Sequence, residues 1–107
     1  MNTITPMYSD KGYKVEYQCI HEDESSRMFV SYGTNIALLT NQNVLYIDEN
    51  KWDYSRTTIK YLCKFLGFRH SRFHIERLLD PVTECPDYPE VEELDLASVD
   101  THGGCLK

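Results

Sequence analysis

No hydrophobic run in the 107-residue chain is long enough to cross a bilayer, because polar or charged residues interrupt the apolar stretches every few positions. Glycine and proline, five and four residues, are too scarce for a collagenous or low-complexity chain. Four cysteines, Cys19, Cys63, Cys85 and Cys105, are too few and too scattered to read as a disulfide framework. The start, MNTITPMYSDKGYK, lacks the basic and apolar regions of a secretory signal. Free thiols and a cytoplasmic location are therefore expected, with no membrane partner. The recognisable signatures of catalysis are missing too: no glycine-rich phosphate loop, nucleophile elbow or zinc-protease motif occurs. His70 and His74 are four apart, yet no Cys-x-x-Cys or closed ligand set accompanies them. We expect no catalytic residue, no cofactor and no metal.

What is present is a strong segregation of charge within a net −6. Residues 1–50 hold seven acids against three bases, and residues 80–100 hold eight acids and no base. Between them, over residues 51–72, Lys51, Arg56, Lys60, Lys64, Arg69 and Arg72 face Asp53 alone. An acidic chain is a poor general binder of polyanions, but the central block keeps nucleic acid open as a less favoured partner.

Along the chain, residues 1–11 read as an unanchored leader. YKVEYQCI (13–20) alternates, with Tyr13, Val15, Tyr17 and Cys19 predicted on one face of a strand. HEDESS (21–26) is an acidic turn, and RMFVSYG (27–33) a second strand ending at Gly33. NIALLT (35–40) and VLYID (44–48) flank Asn41-Gln42-Asn43, a loop whose last residue tolerates the left-handed region. Both runs are apolar on both faces, which places this hairpin centrally.

Ser55 is positioned to cap a helix over about 55–66, with Tyr54 and Ile59 as a hydrophobic staple. Ile59, Leu62, Cys63 and Leu66 form its apolar stripe, and Gly67 stops it. A second helix over about 71–79, capped by Ser71, ends before Pro81. The expected architecture is one α+β domain over 1–80. It has a small antiparallel sheet of three to four strands packed by two helices, and an acidic, partly flexible C-terminal tail over 81–107.

Arg56 lies at the first turn of the predicted helix, against the positive end of its dipole. Asp53 can pair with it; alternatively Arg56, the hydroxyls of Thr57 and Thr58 and the free amides accept an anion. Arg56, Lys60 and Lys64 also recur at helical spacing as a possible nucleic-acid contact. The acidic candidates for a partner surface are Glu22, Asp23 and Glu24 in the turn, and Asp87, Glu90, Glu92, Glu93 and Asp95 in the tail.

Two blocks, SYGTNIALL and LYIDENKWDYSRTTIKYLCKFLG, resemble a family of short, uncharacterised proteins found mainly in phages and mobile elements. The matching positions are Ser31, Tyr32, Thr34, Ile36 and Ala37, then Trp52, Tyr54, Ser55, Thr57, Thr58 and Lys60. The resemblance spans about 29–79, leaving the first strand and the tail outside. It implies a phage-like origin rather than a reaction. The expected function is then a phage-encoded, non-catalytic inhibitor of a host defence nuclease such as a CRISPR effector, acting by occlusion in the cytoplasm of the infected bacterium. The alternative is a nucleic-acid-binding phage accessory protein that uses the basic helix stripe. A virion component is a third reading, and a homodimer is compatible with the tyrosine content.

Overall fold

The structure, a computed structural model, describes residues 3–68, 72–80, 90–94 and 96. The predicted cap Ser71, the acids Asp87 and Asp95 and most of the predicted tail lie outside the described residues. Six strands form one sheet in chain order: β1 (Thr3–Tyr8), β2 (Lys14–Glu22), β3 (Ser26–Ser31), β4 (Thr34–Thr40), β5 (Val44–Asp48) and β6 (Glu90–Leu94). The first five are antiparallel neighbours. Helices α1 (Arg56–Leu66) and α2 (Arg72–Leu79) intervene before β6, which lies parallel to β5.

This mixed, six-stranded sheet with two short helices overturns the expected antiparallel sheet of three to four strands. The two missed strands are the edges. β1 contains Pro6, and β6 reads Glu-Val-Glu-Glu-Leu. Neither carries a run of apolar alternation, because an edge strand is paired on one side only and tolerates proline and charge. The leader thus belongs to the sheet, and so does part of the acidic tail.

Both helices serve one main core. Ile59, Leu62, Cys63 and Leu66 of α1 and Ile75 and Leu78 of α2 pack with Phe29, Ile36, Leu45 and Ile47 of the sheet. α1 starts and stops as its sequence dictates. The Ser55 hydroxyl accepts from the Thr58 amide at 3.1 Å, and Gly67 adopts the left-handed region at φ 82°. Asn43 does the same at φ 64°, closing the β4–β5 hairpin.

The other face of the sheet has a smaller core of Cys19, Met28, Val30 and Leu96. Leu96 is fully buried, and its backbone is held on both sides. Its N–H donates to the Asp48 carboxylate at 2.9 Å, and its carbonyl accepts from the Asn35 amide at 2.8 Å. Cys19 is disulfide-bonded, which corrects the expectation of free thiols at that position. Cys63 is buried and not disulfide-bonded.

The face predicted for β2 also changes. Opposite Pro6 the register slips, so that Pro6 faces Cys19 while Met7 faces Val15. A proline cannot donate to the ladder, and the bulge absorbs the missing bond. Val15 therefore packs on the helix side, Cys19 lies in the opposite core, and Tyr13 and Tyr17 are exposed.

Candidate functional site

Antiparallel pairing sorts the turns onto two ends of the sheet. The β2–β3 turn, the β4–β5 turn and the start of β6 share one end. The β1–β2 turn, the β3–β4 turn and the end of β5, from which the chain enters α1, share the other. The predicted site residues divide between these ends.

The first end is acidic. Glu22, Asp23 and Glu24 are exposed there, as is Glu90 at the start of β6, and exposed Glu92 and Glu93 carry the acid along that strand beside Tyr46 and Ile47. Strand spacing puts β2 and β6 roughly 19 Å apart across the sheet, so the two acidic groups lie toward opposite edges without merging. Asp23 is committed to the turn. One of its carboxylate oxygens accepts from the amides of Ser25 and Ser26 at 2.8 and 2.9 Å and from the Ser25 hydroxyl at 3.0 Å. These bonds, the Ser25 amide first, hold its pKa below the ordinary carboxylate value. Glu22 lies 3.6 Å from Arg27. Glu90, Glu92 and Glu93 have no ion pair among the described residues. The hollow beside this turn, lined by Glu22, Arg27, Leu39 and Asn41 among others, has a volume of about 180 Å³. Small-molecule sites typically occupy about 300 Å³ or more.

The second end is aromatic. Tyr17 and Tyr32 stack with ring centroids 5.8 Å apart, and Tyr54 meets Tyr32 edge-on at 6.2 Å. All three rings are 44–58% exposed. Tyr54 thus spends its ring on Tyr32 at the surface, where the sequence predicted a staple to Ile59. The backbone beneath this group is unusual. Tyr17, at the β2 bulge, has φ 68°, and Tyr32 has φ 51°, each in a region that bulky residues rarely adopt. Tyr32 and Gly33 are the two central residues of the β3–β4 turn, both with positive φ, where Asn-Gly is the favoured pair. A hydrogen bond of 2.7 Å from the Tyr32 N–H to the Tyr17 carbonyl ties the two strained residues together.

Beside these tyrosines in sequence, a chain of hydroxyls joins sheet to helix. Ser31 and Thr58 are 3.1 Å apart through their side-chain oxygens, and Thr58 and Ser55 are 3.0 Å apart. Thr58 is fully buried, so it serves the fold and is unavailable to an external anion. The blocks SY and WDYSRTT, far apart in sequence, thus meet at one place.

The predicted basic stripe does not stand free. Lys60 and Lys64 both reach Asp10 in the β1–β2 turn. The Lys64 bond, then the charge of Lys60, depresses the Asp10 pKa below its usual value. Asp53, the expected partner of Arg56, instead binds Arg72 at 2.8 Å, and Arg72 also sits over the Trp52 ring. Arg56 is left exposed at the start of α1, with no ion pair among the described residues. Thr57 is half-buried beside it. Among the described residues no group of three or more His, Cys, Asp or Glu side chains is placed to hold a metal.

Sequence reasoning named Arg56, Thr57 and Thr58 but missed Tyr17 and Tyr32. Their signal was faint: a bulky residue before Gly33, and an alternation that ran across a proline-paired position.

Among known proteins, a model described as a family of unknown function (DUF8033) matches residues 3–77, and the chain belongs to that family. The match takes in β1 and β2, further toward the N-terminus than the resemblance read from the motifs, and stops before β6. No curated protein and no solved structure matches the chain.

Proposed function

We propose, starting from membership of a family without an assigned activity, that the chain is a non-catalytic binding protein whose acidic end engages a basic surface on a protein partner. The observation that carries this reading is the row of Glu90, Glu92 and Glu93, exposed on edge strand β6 without a neutralising base among the described residues. Glu22 and Glu24 extend the same polarity across the sheet end. Complementary fields of this kind steer association and select partners. In its narrower form the proposal makes the chain a phage-borne inhibitor that occludes the basic nucleic-acid channel of a host defence nuclease, such as a CRISPR effector, in the infected cell. Small size and the net charge of −6 support that form.

The test is capture of effector from a bacterial lysate by the tagged full chain, with and without nuclease treatment. A stoichiometric, nuclease-resistant effector band is expected, and it should vanish when Glu90, Glu92 and Glu93 are all changed to Lys. Undiminished capture by that variant rejects the acidic-surface reading. The basic-stripe alternative is less favoured, because Asp10 already engages Lys60 and Lys64.

A further inference from the structure

The opposite end of the sheet carries a separate surface. We propose that the Tyr17–Tyr32–Tyr54 rings, with Arg56 two residues after Tyr54, form a stacking platform for single-stranded nucleic acid. This goes beyond the partner surface above and shares no residue with it.

Three observations point this way. First, three exposed rings touch in series, with centroid spacings of 5.8 and 6.2 Å. Such a run is long enough to meet more than one base, and every base offers a π-face. Second, two of these rings sit on left-handed backbone, a conformation that bulky residues rarely adopt. Asn or Gly would serve either position with less strain, so the turn and the bulge do not call for tyrosine. Strain of this kind concentrates where a side chain must be presented. Third, a cation without an ion pair adjoins the rings in sequence, while exposed Glu16 precedes Tyr17. Arg56 follows Tyr54 by two residues, is exposed, and has no ion pair among the described residues, while the neighbouring lysines are engaged by Asp10. A phosphate joined to a base stacked on Tyr54 would find this guanidinium and the first free amides of α1.

A buried polar group adjoins the platform in the chain. Gln18, next to Tyr17 and paired across the strands with Ser31, is 1% exposed, and neither end of its side-chain amide has a hydrogen-bond partner. An unsatisfied buried amide is costly to keep. Here it sits on the same sheet face as the Ser31–Thr58 hydroxyl pair.

The platform makes a distinctive salt signature. One cation at the site predicts a shallow slope of log affinity against log salt, about −0.7 per phosphate contacted on a single strand. A stripe using Arg56, Lys60 and Lys64 together would be about three times steeper.

The experiment is fluorescence-anisotropy titration of the full chain with labelled fifteen-residue oligo-dT and oligo-U, a duplex of equal length, and a labelled mononucleotide. Binding of the single strands over the duplex is expected, with the shallow salt slope. Tyr54→Ala should weaken binding about tenfold. Tyr32→Asn is the decisive variant. It installs the favoured Asn-Gly turn, so it should raise the Tm while weakening binding about tenfold, which separates loss of the platform from loss of the fold. Four results would overturn the proposal: no binding to any single strand at low salt; Tyr variants that bind as the parent does; a steep salt slope that depends on Lys60 and Lys64; or a mononucleotide that binds as tightly as the oligomers. None of these outcomes bears on protein capture through Glu90, Glu92 and Glu93, so the two proposals fail independently.

Discussion

The two ends of the sheet solve the same problem, turning the chain between antiparallel strands, by opposite means. At the acidic end the β2–β3 turn is made by residues suited to it: Asp23 folds its carboxylate back onto the next two amides. At the aromatic end the β3–β4 turn and the β2 bulge are made by tyrosines in left-handed conformations. One end is locally relaxed and spends its exposed charge outward. The other is locally strained and is held by tertiary bonds, from Tyr32 to Tyr17 and from Ser31 to Thr58. A turn that satisfies itself needs nothing from the rest of the molecule, whereas a strained one persists only because its surroundings over-determine it.

The sharpest way to break this contrast is to cut the tertiary bonds near the strained end. Asp48 closes β5 there, and its carboxylate accepts from the amides of Leu96 and Asn50. Asp48→Ala should cost about 3 kcal/mol in urea unfolding, because it leaves a buried donor at Leu96 without a partner. It should also speed hydrogen exchange at Leu96. Ser55→Ala, which removes the α1 cap and one member of the hydroxyl chain, should cost about 1 kcal/mol by the same measurement. On the acidic edge strand β6, changing Glu90, Glu92 and Glu93 to Lys should shift stability by less than about 1 kcal/mol, because exposed, unpaired charges contribute little to the fold.

Acid titration sharpens the comparison at both ends. Asp10, in the β1–β2 turn, and Asp23 each have a pKa lowered below the ordinary 3.8. A carboxyl whose folded pKa is depressed contributes stability that is fully present above its unfolded value and is lost as pH falls through the folded value. Both should therefore contribute to an acid limb beginning below about pH 4. Asp10 owes its shift first to Lys64 and then to Lys60, and Asp23 owes its shift first to the Ser25 amide. Salt should flatten the Asp10 contribution and leave that of Asp23 nearly intact. Thermal melts of Asp10→Asn and Asp23→Asn at low and high salt, from pH 2 to 6, check this; equal salt sensitivity in the two would contradict it.

The relaxed parts of the molecule were the legible ones. Ser55, the Ile59–Leu66 stripe, Gly67 and Asn43 each do locally what their residue type favours, and the sequence reading placed them correctly. The central position of β4 and β5 followed from their two apolar faces. The edges were not legible, since β1 breaks its pattern at Pro6 and β6 reads as solvated acid. The aromatic platform was half legible. Tyr54 and Arg56 stood out beside the cap, but nothing near Tyr17 or Tyr32 in sequence announces a contact that depends on a bulge and a strained turn. Arg72 as the partner of Asp53 was hidden for a related reason, because that pair joins the entry of α1 to α2.

The arrangement of the last strand has a kinetic consequence. Strands β1 to β5 pair as successive hairpins, each closing a short loop, whereas β6 reaches β5 only after both helices have been traversed, Val44 meeting Glu90. Local pairings form early, and a crossover of this length must meet its loop-closure entropy before any contact repays it. The meander should therefore assemble first, with β6 and Leu96 docking onto an already formed β5. A rate-sensitive probe on the late step, such as stopped-flow folding of Leu96→Ala, should show faster unfolding at an unchanged folding rate.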